Sequence, residues 1–360
     1  MQAVILVGGQ ATRLRPLTVN TPKAMIPVLN VPFLEHVIRH LEHHGVRDIV
    51  LAQHYLAGPI ESHLGDGRRL GVTITYEVEE TARGTAGAIK NVERHLTGPF
   101  LVLNGDIFTD LDFTAIASFH RQRRALVTIA LTPVDDPTAY GLIETDERGR
   151  VTRFLEKPRP EEITTNMINA GTYVLEPEVL GRIPAGRAVS IERETFPAML
   201  ADGAPVYAYP GSGYWMDTGT PEKYLQLHRD LMAGRSRWYR PASPREVVLG
   251  EGCRVDATAR IEGPAVIGPG CVIGAGARIT GPVSIGGGCH IGRNSTVADS
   301  VIWQEVRLGE GVTVTGAIVA DHCVIEDGAT VPGCVVSDHV RVGRGFTCEV
   351  GLRIEPGATL

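Results

Sequence analysis

Short apolar runs alternate with stretches of helical periodicity over residues 1–232. This alternation is typical of a mostly parallel β-sheet with helices on both faces. The apolar runs predict strands at Val4–Val7, Asp48–Ala52, Val72–Glu77, Phe100–Asn104, Val127–Leu131 and Thr172–Leu175. The helical pattern predicts helices at Phe33–His44, Gly87–His95 and Phe113–Arg121. We therefore expect an α/β domain of Rossmann-like architecture over residues 1–232.

The pattern changes after Met232. Residues 233–246 contain two prolines and no apolar periodicity, so we expect them to form a linker. From 247 to 360 an aliphatic residue recurs at about every sixth position, often followed by glycine. This hexapeptide repeat is the signature of a parallel β-helix domain, in which three hexads form one triangular coil. The repeat positions are 249, 255, 261, 267, 273, 279, 285, 291, 297, 302, 308, 314, 319, 325, 331, 336, 342, 348, 354 and 360.

The repeat slips by one residue before 302, 319 and 336, so the affected coils are expected to have 17 rather than 18 residues. Most of the 6 cysteines stand two residues before a repeat aliphatic, where the other coils carry small residues. Free cysteine behaves as a small buried hydrophobe. We therefore expect the cysteines to pack inside the coils rather than to bind metal or form disulfides.

Composition excludes several classes of partner. With 43% hydrophobic residues, 21% charged residues and a net charge of −6, the chain has no basic footprint for nucleic acid. No stretch is long enough to span a membrane. The first apolar run is short and lacks a positive flank, so it does not resemble a signal peptide. We expect a cytoplasmic protein that binds neither nucleic acid nor membrane.

The first strand ends at a glycine turn, Gly8-Gly9, which allows backbone N–H groups to approach a ligand closely. Cations follow this turn, and no acidic residue occurs before Glu35. The cations are Arg13, Arg15 and Lys23. Clustered amides and cations without a nearby carboxylate indicate a polyanionic ligand such as a nucleoside triphosphate.

The stretch from Gly8 to Lys23 resembles the G-G-x-G-T-R-L-x-P-L-T…K-P start of the sugar-nucleotide pyrophosphorylases, which join a sugar 1-phosphate to a nucleotide. Ala11 and Ala24 depart from that pattern, where the family has glycine and proline. Alanine keeps the amide donor but disfavours positive φ. The resemblance implies Arg13 and Lys23 as catalytic residues and a left-handed β-helix. It implies nucleotide contacts at Leu6, Gly8, Gly9, Ala11, Thr12, Arg13 and Lys23.

Two aspartates follow strand candidates in motifs of the same family. Asp106 ends the run Phe100–Asn104-Gly-Asp, and Asp217 lies in Trp-Met-Asp-Thr-Gly. Ligands of open α/β sheets bind beyond the carboxyl ends of the strands. Two carboxylates together with phosphate oxygens suit Mg²⁺, which seldom has an all-protein cage. The resemblance implies that both aspartates bind this metal.

Other family motifs imply the sugar-phosphate and base sites. The resemblance places the sugar phosphate on Asn104, Gly141, Glu156, Lys157 and Asn169. It places the base near Gly84 and Thr85, and Glu79 is five residues before that glycine. A carboxylate can accept both N1–H and N2–H₂ of guanine, whereas it would repel the carbonyls of thymine or uracil. These residues favour GTP, although a solvated strand end is the alternative for Glu79.

Together these motifs predict a sugar-1-phosphate nucleotidyltransferase that resembles mannose-1-phosphate guanylyltransferases most closely. Glucose-1-phosphate thymidylyl- or uridylyltransferase is the alternative. A catalytically silent regulatory subunit is a third possibility. The charged site residues that such a subunit would lose are all present, which argues against it: Arg13, Lys23, Asp106, Lys157 and Asp217. Acyl transfer by the β-helix is a fourth, and the chain lacks the flanking motif expected around its histidines. The resemblance also implies a homo-oligomer.

Overall fold

The computed structural model describes residues 1–237, 243 and 245–360, so part of the predicted linker, 238–242 and 244, lies outside the described residues. The contacts divide the chain into two compact units. The sheet unit comprises Met1–Gly9 and Leu34–Trp215, and the β-helix unit comprises Gln10–Phe33 and Met216–Leu360. We call Gln10–Phe33 the strap. Because this grouping differs from the sequence segments, the boundaries at 232 and 247 stay a prediction.

The chain up to residue 232 contains short strands and helices in alternation. Its strands are β1 (Gln2–Leu6), β2 (Pro27–Val28), β3 (Val31–Pro32), β4 (Asp48–Gln53), β5 (Thr73–Val78), β6 (Phe100–Asn104), β7 (Ile107–Thr109), β8 (Val127–Pro133), β9 (Gly141–Thr145), β10 (Val151–Glu156), β11 (Met167–Leu175), β12 (Val206–Pro210) and β13 (Trp215–Asp217). Its α-helices are α1 (Phe33–His43), α2 (Ala57–Leu64), α3 (Gly84–Asn91), α4 (Phe113–Arg123), α5 (Phe196–Ala201) and α6 (Pro221–Met232). In the described part of the chain, no helix is long and apolar enough to cross a membrane.

Nine strands form the main sheet of the sheet unit. Seven of them follow the order β10-β9-β11-β6-β1-β4-β5, while β8 pairs with β11 and β12 pairs with β8. The neighbours β6, β1, β4 and β5 are parallel. β11 runs antiparallel to β6 and β8, and β10 runs antiparallel to β9. The predicted Rossmann-like α/β fold is confirmed, with antiparallel strands on one side of a parallel centre.

Local sequence explains the elements that were predicted. The run Ala3–Ile5 is fully buried, as expected for a strand covered on both faces. Asp112 caps α4 by accepting a hydrogen bond from Ala115 N at 2.8 Å. α3 begins at Gly84 rather than Gly87 and ends at Asn91 rather than His95. The sequence pattern did not predict β9, β10 or β12, because their apolar runs are short.

The β-helix consists of very short strands. They are β14 (Val247–Leu249), β15 (Arg254–Val255), β16 (Arg260–Glu262), β17 (Ala265–Ile267), β18 (Val272–Ile273), β19 (Arg278–Thr280), β20 (Val283–Ile285), β21 (His290–Ile291), β22 (Thr296–Ala298), β23 (Val301–Ile302), β24 (Arg307–Leu308), β25 (Thr313–Thr315), β26 (Ile318–Val319), β27 (Val324–Ile325), β28 (Thr330–Pro332), β29 (Val335–Val336), β30 (Arg341–Val342) and β31 (Arg353–Ile354). Every third strand from β14 to β29 joins the same parallel sheet, and β31 extends the sheet of β29. The result is three stacked parallel sheets.

Register in these sheets follows the predicted repeat. Ile267 pairs with Ile285 and Ile285 with Ile302, so a coil of 18 residues is followed by one of 17. The repeat aliphatics fill the interior, and most of them are fully buried. All 6 cysteines are free, and all but Cys253 are buried. Cys271 Sγ, for example, donates to Gly286 O at 3.0 Å inside the coil. The predicted packing role of the cysteines is confirmed.

One face of the β-helix carries the strap and α6. Val301 and Ile318 point away from the coil interior and are nevertheless buried. On this face, Trp303 Nε1 donates to the hydroxyl of Tyr224 in α6 at 3.1 Å. Asn30 of the strap donates to Ile285 O at 2.8 Å. The strap and α6 are therefore packed parts of the β-helix unit.

A buried glutamate of α1 forms an ionic cluster with cations that are partly exposed. Glu35 is 4% exposed, and the side chains of Arg39, His63 and Arg69 bind its two oxygens at 2.6–3.0 Å. Burial alone raises the pKa of Glu35, but hydrogen bonds from Arg69, His63 and Arg39 outweigh it and lower the pKa from 4.5 to about 2. The ionised carboxylate therefore stabilises the fold above pH 4.5, and this contribution is lost as the pH falls towards 2.

We predict that Glu35→Gln lowers the free energy of unfolding at pH 7 by about 1–3 kcal/mol, because the ionised carboxylate is removed from its cations. Urea unfolding at pH 7 and pH 3 measures the effect, and the deficit should be smaller at pH 3. Glu42→Gln, which disrupts the exposed pair with Arg47, is the matched control and should change stability by less than about 1 kcal/mol. Equal losses in the two variants would contradict a special role for the buried carboxylate of Glu35.

Candidate active site

The predicted glycine turn lies beside the carboxyl ends of neighbouring parallel strands in the sheet unit. Leu6, at the half-buried end of β1, pairs with Ala52 on one side and Asn104 on the other. A Cβ on Gly8 would lie 3.0 Å from His54 Cβ, so glycine is needed for this close approach. A Cβ on Gly9 would meet no atom within 4 Å, so the backbone of Gly9 borders open space.

Glu79 follows β5 at the same edge of the sheet. It is 6% exposed, and its Oε2 accepts a hydrogen bond from Arg83 N at 3.3 Å. Its Oε1 is buried and has no hydrogen-bond partner. Burial raises the pKa of Glu79, although Arg83 and His54 act in the opposite direction. An unpartnered buried carboxylate oxygen is unfavourable by itself and is a feature expected of a ligand contact.

Gly84 and Thr85 begin α3 under tight packing. Gly84 has a φ of +68°, and a Cβ there would lie 2.6 Å from Val189 O. The hydroxyl of Thr85 donates to Glu192 Oε2 at 2.7 Å and accepts from Ile191 N at 2.8 Å. Because this hydroxyl is already bonded on both sides, its role within the protein is structural. A nucleotide contact at Thr85 would use the backbone.

Asn104 and Asp106 follow β6, with Gly105 between them. A Cβ on Gly105 would lie 2.8 Å from Leu6 O, so only glycine allows this turn beside β1. A Cβ on Gly171 would lie 2.8 Å from Asn104 Nδ2, which brings the predicted Asn-Ala-Gly segment against Asn104. Asp106 is half-buried. The sheet unit therefore brings both predicted motifs to one edge.

Gly141 and Glu156 face each other across the pair of β9 and β10. A Cβ on Gly141 would lie 2.8 Å from Glu156 Oε2. Burial and the nearby charge of Glu192 raise the pKa of Glu156. Lys157 follows with a φ of 51°, a left-handed conformation that costs a lysine about 1–2 kcal/mol. Its N–H donates to Tyr140 O at 3.0 Å, which helps to hold that conformation.

Asn169 takes part in a network that the sequence pattern did not reveal. Its Nδ2 donates to the hydroxyl of Tyr173 at 2.8 Å, and its Oδ1 accepts from Gly171 N at 2.9 Å. The Tyr173 hydroxyl donates to Glu192 Oε1 at 3.2 Å, and Glu192 also binds Thr85. Glu192 therefore links two predicted site segments. Its surrounding sequence carries no glycine turn or strand end that would have indicated this role.

The strap contains the remaining signature residues and lies in the β-helix unit. Ala11 has φ 46° and ψ 47°, the left-handed conformation that glycine favours. Its carbonyl accepts from Leu14 N and from the hydroxyl of Thr18, both at 3.0 Å. Alanine disfavours this conformation, as expected from the sequence. The backbone of Ala11 is therefore strained. Thr12 and Arg13 are exposed immediately after it.

Asp217 and its turn lie against the cations of the strap. A Cβ on Gly219 would lie 2.7 Å from Arg13 Nη2, so glycine lets the guanidinium approach the backbone. Lys23 Nζ is 3.8 Å from Asp217 Oδ1, and Lys223 Nζ is 3.3 Å from Oδ2. The carboxylate thus partly neutralises two ammonium groups. Lys223 was not predicted, because its position in α6 shows no signature.

Two family models match consecutive parts of the chain. A family model described as Nucleotidyl transferase matches residues 2–234. The chain belongs to the nucleotidyl transferase family. A second model, described as the EIF2B subunit epsilon LbH domain, matches residues 244–348. The resemblance drawn from the sequence is confirmed, and so is the left-handed β-helix that it implied.

The relatives of this chain are named for different substrates. Mannose-1-phosphate guanylyltransferase from Mycobacterium tuberculosis is 45% identical over 236 residues, which cover 65% of this chain and 65% of the relative. UTP–glucose-1-phosphate uridylyltransferase from Synechocystis is 35% identical over 329 residues, covering 86% of this chain and 85% of the relative. Among solved structures, HddC from Yersinia pseudotuberculosis in complex with GMP-PN has a TM-score of 0.55 at 30% identity, covering 63% of this chain and 97% of HddC.

The strain at Ala11 gives a prediction for this family member. Ala11→Gly should raise the free energy of unfolding by about 1 kcal/mol and retain activity, because glycine adopts the left-handed conformation without strain. Ala11→Val should lower both, since a β-branched residue is disfavoured there. Thermal unfolding and pyrophosphate release measure the two effects. If valine is tolerated as well as glycine, the left-handed turn is not required for activity.

Proposed function

We propose that the protein transfers a guanylyl group from GTP to mannose 1-phosphate, forming a nucleotide sugar and releasing pyrophosphate. The observation that carries the choice of guanine is Glu79, whose buried Oε1 has no partner within the protein. A carboxylate pair of acceptors fits N1–H and N2–H₂ of guanine. The name of the mycobacterial relative and the guanine nucleotide bound to HddC support the same choice.

In this reaction an oxygen of the sugar 1-phosphate attacks the α-phosphorus of GTP. A new bond forms between this oxygen and the α-phosphorus. The bond between the α-phosphorus and the oxygen that bridges to the β-phosphate breaks, and pyrophosphate leaves with the electron pair. Such chemistry depends on positioning and charge neutralisation rather than on a protein nucleophile. Arg13 and Lys23 would neutralise the triphosphate and the leaving pyrophosphate. Lys157 would bind the phosphate of the sugar, while Asn104, Gly141, Glu156 and Asn169 would surround the sugar.

The glycine turn would receive the nucleotide through backbone amides. Gly9 borders open space, and Gly8 packs against His54, so a phosphate can approach the turn from one side. Leu6, Ala11, Thr12, Gly84 and Thr85 complete the proposed nucleotide contacts. We propose Mg²⁺ as the metal, since the donors available are hard carboxylates. Within the described residues no three His, Cys, Asp or Glu side chains form a metal cluster, which suits an ion that relies on phosphate oxygens.

Asp106 and Asp217 are the proposed metal ligands. Asp106 belongs to the sheet unit and Asp217 to the β-helix unit. The proposal that they serve one ion rests on their motifs and on their donor chemistry. Bound Mg²⁺ would neutralise charge on the phosphate oxygens of the triphosphate. Asp217 already lies beside Lys23 and Lys223, so the ammonium groups and the metal would share one carboxylate.

Transfer of a uridylyl group to glucose 1-phosphate is a second candidate, because the Synechocystis uridylyltransferase aligns over 86% of this chain, including the β-helix. A matrix of GTP, UTP, dTTP and ATP against mannose 1-phosphate and glucose 1-phosphate separates the candidates. The readout is pyrophosphate release by the full chain. We expect the highest kcat/KM for GTP with mannose 1-phosphate, and a maximum at UTP with glucose 1-phosphate would replace our proposal.

We predict that Glu79→Gln lowers kcat/KM for GTP relative to UTP by about 5- to 150-fold, as expected when the base contact is weakened by about 1–3 kcal/mol. Glu80→Gln is the matched control, because Glu80 is the exposed neighbour of Glu79 and should not affect the preference. An unchanged ratio in Glu79→Gln would remove this residue from the base site.

The same site has an expected pH dependence. Because burial raises the pKa of Glu79, its carboxyl becomes protonated at a higher pH than an ordinary glutamate. Protonation of the Glu79 carboxylate removes one hydrogen-bond acceptor. The KM for GTP of the wild-type protein should therefore rise as the pH is lowered. That rise should be absent in Glu79→Gln.

We predict that Asp106→Asn and Asp217→Asn each lower kcat by at least about 100-fold while the thermal midpoint changes little, because a neutral amide neutralises metal charge poorly. Steady-state kinetics at saturating Mg²⁺ measure this loss. Asp112→Asn is the control, since asparagine caps α4 about as well as aspartate. Near-normal activity in both variants at saturating Mg²⁺ would exclude the two-carboxylate model.

A further inference from the structure

The last coils of the β-helix contact the backbone of the strap at the residues that carry its arginines. Arg353 Nη1 donates to Arg13 O at 3.3 Å and to Arg15 O at 3.2 Å. The hydroxyl of Ser337 lies 3.1 Å from Pro16 O in a fully buried position. Three carbonyls of the signature segment therefore meet donors from β31 and the turn after β29. The three contacts join residues more than 300 positions apart in the chain.

Arg353 also reaches the turn that holds Asp217. Its Nη2 donates to Glu222 Oε1 at 3.3 Å, and Glu222 lies in the first turn of α6. That turn follows Gly219, against which the Arg13 guanidinium lies. One guanidinium thus connects the backbone of Arg13 to the segment that receives the side chain of Arg13. A planar fork with five N–H donors can bond two carbonyls and a carboxylate at once, whereas a lysine ammonium lacks this geometry.

The strap needs such a contact because its local backbone is strained. Ala11 occupies the left-handed region, and the short 3₁₀ turn Thr12–Leu14 that follows leaves carbonyls at its C-terminal end. A cation beside the C-terminal carbonyls of a helical turn is favourable. Other strap contacts lie further along: Asn20 Nδ2 donates to Asp338 Oδ2 at 3.0 Å, and Asn30 donates to Ile285 O. Within the described part of the coils, Arg353 is the side chain that binds the carbonyl of Arg13.

We propose that Arg353 is a positioning residue for nucleotidyl transfer, fixing the backbone of Arg13 and Arg15 so that the strap is preorganised for the triphosphate. The terminal coil of the β-helix is then part of the catalytic apparatus. This inference rests on the proposed function only in taking the strap as the triphosphate site. It does not depend on which base or sugar is used.

A purely structural role makes a different prediction. The side chain of Arg353 is 43% exposed and that of Glu222 is 73% exposed, so their ion pair contributes little to global stability. The expected signature of positioning is therefore a kinetic defect without a matching loss of stability. Small displacements of a positioned group can lower rates strongly, so we expect about a tenfold fall in kcat/KM for the triphosphate.

The test compares Arg353→Ala, Arg353→Lys and Arg341→Ala in the full chain. Arg341 is the matched control, because it is an exposed arginine of β30 whose side chain pairs with Glu326 within the coils. For Arg353→Ala we expect the fall in kcat/KM for the triphosphate, an unchanged KM for the sugar phosphate and a thermal midpoint within about 2 °C of wild type. Arg353→Lys should recover part of the loss, and Arg341→Ala should match wild type.

Equilibrium binding of GTP and UTP, measured by calorimetry without sugar phosphate, separates this inference from the proposed function. If the wild-type protein neither binds a triphosphate nor releases pyrophosphate, the proposed function fails. If the wild-type protein is active and Arg353→Ala equals it in kinetics and binding, the positioning role is wrong. The positioning role would also be wrong if the activity of Arg353→Ala falls only because its thermal midpoint falls by clearly more than about 2 °C. It would be wrong as well if Arg341→Ala loses as much activity as Arg353→Ala.

Discussion

The strap gathers Arg13, Arg15 and Lys23 with no acidic residue before Glu35, and its backbone passes through a left-handed alanine. Like charges repel and a strained turn tends to relax, so the strap requires partners outside itself. Asp217 supplies negative charge beside Lys23, and the coils supply donors for the strap carbonyls. The conformation of the proposed phosphate-binding strap therefore depends on the β-helix unit as much as on the local signature.

The sheet unit meets a different requirement, which is close approach of the backbone. Gly8, Gly84 and Gly105 each lie where a Cβ would meet a neighbour at 3.0 Å or less. These contacts bring strand ends and α3 into close packing. Glu79, at the same edge of the sheet, has a buried oxygen without a hydrogen-bond partner. Rigid packing of this kind suits a site that must present amides and a carboxylate without rearrangement. Hydrogen bonds through Glu192 connect Thr85 and Tyr173 in the same unit.

Prediction from sequence succeeded where the signal was local. The hexad repeat predicted which residues fill the interior of the coils and where a coil is one residue shorter. Such a prediction is possible because each inward-facing position recurs after about six residues. The glycine turns and the strand ends predicted which edge of the sheet carries the candidate site residues of the sheet unit. Glu192, Lys223 and His54 were missed, since each acquires its position through contacts with distant segments. Thr85 was predicted as a nucleotide contact, and its hydroxyl turned out to be bonded to Glu192 and Ile191.

The sequence by itself determined the two architectures, the cysteine packing and the membership of a nucleotidyl transferase family. Apolar periodicity and motif spacing carry that information because burial and turn formation act over a few residues. Only the tertiary structure decided that the strap groups with the coils, that Asp217 faces two lysines and that Arg353 binds the carbonyls of Arg13 and Arg15. These contacts join residues far apart in the chain, and a hydrogen bond to a backbone carbonyl leaves no trace in the residue that accepts it.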